Sequence, residues 1–90
     1  MSYSVRLTER AKNQLLKMDK HTALLITGWI RKRLEGCDNP RAFGKPLTAN
    51  HSGQWRYRTG DYRIIAEIED DRLIILALNI GHRREVYKDR

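Results

Sequence analysis

Arginines and a histidine in two short segments are the residues best suited to chemistry. Arg56, Arg58 and Arg63 lie in the segment QWRYRTGDYRIIAEIE, and His82 and Arg83 lie in the segment GHRREVY. The planar guanidinium group donates two parallel hydrogen bonds to a phosphate and stays charged. Histidine exchanges a proton near neutral pH, and neighbouring cations keep the imidazole neutral and able to accept one. These residue types favour a site that binds a polyanion and moves a proton beside it.

The first segment predicts a β-hairpin. Two runs of β-type residues flank Gly60-Asp61, a pair that favours a two-residue hairpin loop. This loop places Thr59 opposite Tyr62 and Arg58 opposite Arg63. Because side chains alternate between the faces of a sheet, one face is a core face and carries Trp55, Tyr57, Tyr62, Ile64, Ala66 and Ile68. The other face collects the three arginines.

Two interpretations of that arginine face follow from the sequence. Like charges directly across a strand pair are destabilising. The arginines either splay apart as a solvated basic face or bind a polyanion that arrives from outside.

Length and composition narrow the classes of protein. Ninety residues predict one small domain over residues 1–90, and 18 Lys and Arg against 11 Asp and Glu give a net charge of +7. This charge favours nucleic acid or another acidic partner. The single cysteine, Cys37, excludes an internal disulfide and favours a reducing compartment. The N-terminus lacks the apolar segment of a signal peptide, and the apolar run Leu73–Leu78 is too short to span a bilayer. We therefore predict a cytoplasmic protein, with neither metal site nor cofactor.

The segments before the hairpin predict a strand and two helices. Alternation from Ser2 to Leu7 predicts a short strand, and Thr8 is a candidate N-cap for a helix from Glu9 to Met18. Either Asp19 or Thr22 caps a second helix that ends near Glu35. Its buried stripe is Ala23, Ile26, Ile30 and Leu34, with Trp29 beside it. The irregular segment from Cys37 to Gly53 follows, and from it Lys45 can reach a ligand.

The segments after the hairpin predict one more strand and a tail. Asp70-Asp71 forms a second tight turn into a strand over Arg72–Ile80. Leu73, Ile75 and Ala77 then join the core face. Ile65, Ile74, Leu76 and Leu78 form an apolar floor beside the arginines, and such a patch favours a partner surface. His82 and Arg83 are expected at the rim of the arginine face. The predicted fold is α+β in the order β-α-α-β-β-β, with a mainly antiparallel four-stranded sheet packed on two N-terminal helices.

The strings GQWRYRTGDYRIIAEI and GHRREVY resemble the RelE/ParE superfamily of bacterial toxins, and most of all the RelE-type messenger-RNA endonucleases. The resemblance implies the toxin of a type II toxin–antitoxin system that cuts mRNA in the ribosomal A site by metal-independent attack of the 2′-hydroxyl. It implies mRNA on the ribosome, with 16S rRNA contacts, as the target. It also implies a RelB-like antitoxin that covers Ile65, Leu76 and Leu78, operator DNA bound only through the complex, and no membrane partner.

The resemblance also implies roles for single residues. Arg63 and Arg83 would neutralise the non-bridging phosphate oxygens, Tyr87 would stack on a splayed base, and Arg56 and Arg58 would hold the RNA backbone. Lys45 joins the residues expected to bind RNA because of its place in the irregular segment, not because of the resemblance. Some relatives have lysines where Arg56 and Arg58 stand. Because arginine does not give up its proton, His82 is the available substitute as base or acid.

Two other functions stay open at this point. The same superfamily includes ParE-type toxins, which inhibit DNA gyrase by protein contact and need no catalytic residues. The chain could also be a non-catalytic RNA-binding module.

Overall fold

In the computed structural model, which describes residues 1–47 and 53–86, two helices pack on one face of a five-stranded sheet. The elements are β1 Ser4–Leu7, α1 Glu9–Lys17, α2 Lys20–Arg33, a 3-10 helix Pro40–Ala42, β2 Lys45–Pro46, β3 Gln54–Thr59, β4 Tyr62–Glu69, β5 Ile74–His82 and α3 Arg83–Val86. The strand order is β1-β5-β4-β3-β2. The predicted α+β class is confirmed.

The predicted number of strands is wrong by one. Four strands were expected, and the fifth is β2, whose Lys45 and Pro46 pair with Arg56 and Trp55 of β3. A two-residue strand has no periodicity that a sequence pattern can show. It exists because the preceding loop folds back onto the edge of β3.

Side chains at the N-termini of α1 and α2 fix where these helices begin. The Thr8 hydroxyl accepts a hydrogen bond from the backbone N–H of Ala11. Between the two predicted caps of α2, the structure selects Asp19, whose carboxylate accepts from the Thr22 backbone N–H and hydroxyl. These bonds lower the pKa of Asp19 and satisfy amide groups that have no partner within the helix.

The core lies between the helices and the sheet. Ile26, Ile30 and Leu34 of α2 are buried as predicted, against Tyr57 and Ile64 of the hairpin. Tyr57 is fully buried, and its hydroxyl donates to the backbone carbonyl of Pro40. Burial raises the pKa of this tyrosine, so the phenol stays neutral. Among the described residues, no helix is long and apolar enough to cross a membrane.

The β3–β4 hairpin has the predicted register. Thr59 lies opposite Tyr62, Arg58 opposite Arg63, and Tyr57 opposite Ile64. Gly60 in the turn has a φ of 60°, in the left-handed region that glycine adopts readily. The separation of the hairpin into a core face and an arginine face is therefore confirmed.

The β4–β5 connection differs from the prediction in two ways. The loop is longer than two residues, because Glu69 pairs with Ile74 rather than with Arg72. This moves the register by two residues and leaves the faces of Ile75 and Leu76 unchanged. Further along, the register shifts by one, because Ile65 pairs with Asn79 whereas Ala66 pairs with Ala77. Leu78 is the extra residue of this β-bulge, and every residue after it exchanges faces.

Helix α1 supports the bulge from the side. Strand β1 runs parallel to β5 and ends with Leu7 opposite Ala77, so β5 has no strand neighbour on that edge beyond Ala77. The Thr8 hydroxyl donates to the carbonyl of Leu78, and the Gln14 carboxamide oxygen accepts from the backbone N–H of Ile80 at 2.6 Å. Helix α1 thereby supplies hydrogen bonds that a longer β1 would have made.

A polar cluster connects the start of β1 and the β4–β5 turn to the 3-10 helix before β2. The Arg41 guanidinium donates two hydrogen bonds of 3.0 Å to the Asp70 carboxylate, and the Tyr3 hydroxyl donates a third at 2.6 Å. Arg41, followed by Tyr3, holds the pKa of Asp70 at about 2. The same hydrogen bond to Asp70 raises the pKa of Tyr3.

Candidate nucleic-acid interface

Three arginines share the outer face of the β3–β4 hairpin. Arg58 is exposed and lies directly opposite Arg63, and Arg56 is two residues away on the same strand. Within the part of the chain that the structure describes, neither Arg58 nor Arg63 forms an ion pair. Their charges are therefore not compensated by a carboxylate in the fold, and an external anion can approach them.

A groove of about 290 Å³ runs beside these arginines, around the outer edge of β3. Strand β2 pairs with Trp55 and Arg56 and ends there, which leaves the edge of β3 near Arg58 open to the groove. The lining residues are Trp29, Phe43, Gly44, Lys45, Arg56, Arg58 and Arg63. Lys45, which the sequence placed only in an irregular loop, thus joins the three arginines at one site.

Gly44 makes this arrangement possible. Its φ is +73°, and a Cβ atom there would lie 2.2 Å from the carbonyl oxygen of Arg56 and 2.9 Å from the Trp55 indole nitrogen. Only a residue without a side chain can let the two backbones approach so closely. The Trp55 indole Nε1–H also donates to the Phe43 carbonyl at 2.6 Å. These contacts hold the start of β2 against β3.

His82, which was expected at the rim of the arginine face, has its side chain on the opposite side of the sheet. It pairs with Tyr62, and the two rings meet edge to face with centroids 5.7 Å apart. Tyr62 belongs to the helix-packed face, so the imidazole lies on that side of the sheet. Gly81 is the residue opposite Arg63. The bulge at Leu78 is the cause, because without it residues 80 and 82 would keep the face of Leu76.

The other predicted residues of the tail are partly described. The His82 Nδ1 atom accepts from the backbone N–H of Arg84, and the backbone N–H of Arg83 donates to the Asp61 carbonyl at 2.8 Å. The start of α3 is therefore attached to the turn of the β3–β4 hairpin, and Arg83 is exposed there. Tyr87 lies outside the described residues.

The predicted partner surface is less accessible than expected. Ile65 is buried, with 5% of its surface exposed, and Leu76 and Leu78 are half-buried. Ile65 therefore cannot serve as an open contact. The exposed leucines lie instead on the helices: Leu16 at 81%, Leu24 at 61% and Leu25 at 58%. Leu24 and Leu25 fall outside the buried stripe of α2, which is the sequence signal that could have identified them.

A second groove, of about 660 Å³, passes between α2 and the turn of the β3–β4 hairpin. Leu24, Leu25 and Trp29 form its apolar wall, and Lys32 and Arg33 add positive charge. An apolar wall with cationic neighbours is suited to an amphipathic acidic segment.

The first groove can bind phosphate and neutralise its negative charge with the cationic side chains that line it. Its four cationic side chains are three arginines and one lysine, and arginine is not a proton acceptor at neutral pH. Among residues 1–47 and 53–86, no three His, Cys, Asp or Glu side chains gather into a possible metal site. The arrangement therefore supports binding of RNA or another polyanion and stabilisation of phosphate charge.

Comparison with known proteins agrees with the fold. Residues 5–87 match the family model described as the ParE toxin of type II toxin–antitoxin systems. The chain is 28% identical over 88 residues to the toxin RelG of Mycobacterium tuberculosis, covering 98% of this chain and 99% of RelG.

Solved structures extend the comparison. A chain in the crystal structure of the toxin–antitoxin complex RelBE2 from Mycobacterium tuberculosis superposes with a TM-score of 0.83 at 28% identity, covering 92% of this chain and 100% of that chain. A double mutant of the E. coli toxin RelE in the free state shares the fold, with a TM-score of 0.74 at 18% identity, covering 98% of this chain and 93% of that chain. The chain therefore belongs to the ParE toxin family of type II toxin–antitoxin systems, within the RelE/ParE superfamily.

Proposed function

We propose that this toxin is a ribosome-dependent endoribonuclease that cleaves mRNA in the A site and so inhibits translation. The observation that carries the proposal is the groove in which Arg56, Arg58, Arg63 and Lys45 meet, with no ion pair to Arg58 or Arg63 among the described residues. A face of this kind costs stability unless an external polyanion uses it. The likeness to toxins named RelE and RelG supports RNA as that polyanion. We propose one catalytic domain, over residues 1–90, acting in the cytoplasm.

The proposed reaction uses a nucleophile that RNA itself supplies. The 2′-oxygen forms a bond to the adjacent phosphorus while the bond from phosphorus to the 5′-oxygen breaks. The proton of the 2′-hydroxyl passes to a base, and the leaving 5′-oxygen receives a proton. The products are a 2′,3′-cyclic phosphate and a 5′-hydroxyl. Arg63 and Arg58 would stabilise the charge that develops on the phosphorane, a contribution that is large where the donors are already in place.

The proton-transfer step of the proposal can be tested by a single variant, His82→Ala. An imidazole is a side chain suited to general acid–base catalysis, but the ring of His82 contacts Tyr62 on the helix-packed side of the sheet. A substrate bound at Arg63 would have to pass the end of β5 near Gly81 to reach the imidazole. Arg83 as a phosphate ligand and Tyr87 as a stacking residue stay predictions of the same proposal.

Primer extension on a translated mRNA, with and without the toxin, tests the proposal. We expect new 3′ ends at A-site codons with the wild type. Arg63→Ala should weaken both ribosome binding and cleavage, because the same charge serves the bound phosphate and the transition state. A loss of about 10²–10⁴-fold in single-turnover cleavage by His82→Ala, at unchanged binding, would assign proton transfer to His82. A loss below about tenfold is less than general acid–base catalysis contributes. It would exclude His82 from proton transfer, and the arginine charges and substrate positioning would then account for the rate of cleavage.

A second function is favoured by one finding, the match to the ParE family model. In that case the toxin would inhibit DNA gyrase by protein contact. Primer extension would then show no new ends, and a supercoiling assay with purified gyrase would lose activity on addition of the toxin. Arg63→Ala would then change no cleavage rate, because the toxin would not cleave RNA.

We also propose that an acidic RelB-like antitoxin neutralises the toxin, and that operator DNA is bound only through that complex. The RelBE2 toxin was crystallised with its antitoxin. On this chain, the groove with Leu24 and Leu25 is a more accessible surface than Ile65. Leu24→Glu should therefore abolish rescue of growth by the co-expressed antitoxin. Leu16→Glu, an exposed leucine outside that groove, is the matched control. If Leu76→Glu abolishes rescue and Leu24→Glu does not, the antitoxin contacts the sheet, as expected from the sequence.

A further inference from the structure

An aromatic wall closes one side of the arginine groove. Trp29 of α2 and Phe43 of the loop before β2 line the groove together with Lys45 and Arg58. Their rings meet edge to face with centroids 6.5 Å apart, and Trp29 also contacts the ring of Tyr57 at 5.9 Å. The indole therefore packs against a fully buried residue and also borders a cationic cleft.

The exposure of Trp29 is the unusual part of this wall. Its neighbours in the buried stripe, Ile26 and Ile30, are 1% and 8% exposed, whereas Trp29 is only half-buried. Trp29 lines this groove beside the cations, and it also lines the second groove between α2 and the turn of the β3–β4 hairpin.

The dimensions and lining of the groove match a single unpaired nucleotide. Pockets for drug-sized ligands begin at about 300 Å³, and this groove has about 290 Å³, so it accepts one nucleotide rather than a helix. Proteins bind unpaired RNA by stacking bases on aromatic side chains while cations follow the backbone. An acidic peptide would need the cations but not aromatic rings beside them.

We propose that Trp29, supported by Phe43, is a stacking platform for one unpaired RNA base whose flanking phosphates lie on Arg58 and Lys45. The inference rests on the proposed function for its ligand class, and it adds a base-contacting residue to which the sequence patterns gave no binding role, since they placed Trp29 only beside the buried stripe of α2. The platform is preorganised, because Gly44 and the hydrogen bond from Trp55 to the Phe43 carbonyl hold the loop in place before RNA binds.

Tryptophan fluorescence provides the test. The chain has two tryptophans, Trp29 and Trp55, and Trp55 is kept because its indole N–H donates to the Phe43 carbonyl. The Trp29 signal is therefore the quenching of the wild type that is missing from the Trp29→Phe variant. The probe is a short single-stranded RNA with 2′-O-methyl groups, which cannot be cleaved, and the control ligand is inorganic polyphosphate of matched charge. We expect the RNA to quench Trp29 emission strongly and the polyphosphate to bind with little quenching, since only the RNA offers a base to the indole.

Variants of the wall complete the experiment. Trp29→Leu should weaken affinity for the RNA probe by about 5- to 150-fold, the range that stacking contributes per base, whereas Trp29→Phe should retain most of it. Affinity for polyphosphate should be the same in both. If Trp29→Leu fails to fold, as circular dichroism would show, Phe43→Leu provides the same comparison.

Three outcomes would overturn the inference. These are equal quenching by RNA and polyphosphate, unchanged RNA affinity in Trp29→Leu, and stronger quenching by an acidic peptide than by RNA. The proposed function fails separately, because A-site cleavage by the wild type without quenching would refute only the stacking platform. Quenching by RNA without cleavage would refute only the nuclease.

Discussion

Replacing Arg58 by threonine should make the toxin more stable and a weaker RNA binder. Arg58 is exposed and lies directly across from Arg63, and neither forms an ion pair among the described residues. A like-charge pair in this position costs about 0.2–1 kcal/mol, and threonine is favoured in strands. Arg58→Thr should therefore raise the free energy of unfolding by that amount and the melting temperature by about 1–8 °C.

Stability and binding should depend on salt in opposite directions. The screening length falls from about 10 Å at 0.1 M to about 3 Å at 1 M ionic strength, so added salt weakens the repulsion between Arg58 and Arg63. The stability gap between Arg58→Thr and the wild type should then close. Affinity for single-stranded RNA should fall with salt in both proteins, with the slope of log affinity against log salt smaller by about 0.7 in the variant.

Urea unfolding at about 0.1 M and about 1 M salt measures the first effect, and fluorescence polarisation of a labelled 2′-O-methyl RNA measures the second. Arg6→Thr is the matched control, because Arg6 is also exposed on a strand but lies beside Leu76 of β5. Its loss should change stability little. The reasoning is refuted if Arg58→Thr is less stable than the wild type at low salt, or if its stability gap is the same at both salt concentrations.

Two further predictions concern the supports of the groove. Gly44→Ala should lower the free energy of unfolding in urea by more than about 1–2 kcal/mol, the cost of a left-handed residue alone, because its Cβ would also meet the Arg56 carbonyl. Gly36→Ala, at φ +81° in open space, should show only the backbone cost, and equal losses in both would contradict the close contact. Asp70→Asn should lower stability at pH 7, since the pKa of Asp70 lies near 2 in the folded state, below its ordinary value. The contribution is complete above about pH 4 and disappears as the pH falls through 2, so the gap to the wild type should narrow over that interval. The role of the Asp70 carboxylate would be contradicted if the difference in stability between Asp70→Asn and the wild type stays constant with pH. An equal pH dependence in Asp71→Asn, a variant of the exposed neighbour, would also contradict it.

The sequence determined the features that depend on neighbouring residues. The turn at Gly60-Asp61 fixes the pairing of Arg58 with Arg63, because a two-residue loop leaves one register for the strands it joins. The caps at Thr8 and Asp19 are local in the same sense, since each side chain bonds an amide three residues away. From these, the two-faced hairpin and its arginines followed without knowledge of the rest of the chain.

Only the tertiary structure decided where the tail and the loop before β3 lie. The bulge at Leu78 depends on where β1 ends and on Gln14 of α1, which are about 65 residues distant in sequence, and it alone moves His82 to the helix-packed side. Likewise, Lys45 reaches the arginines because Gly44 packs on the Arg56 carbonyl. Periodicity reports which face of its own element a residue occupies, whereas these placements depend on contacts between elements that no local pattern encodes.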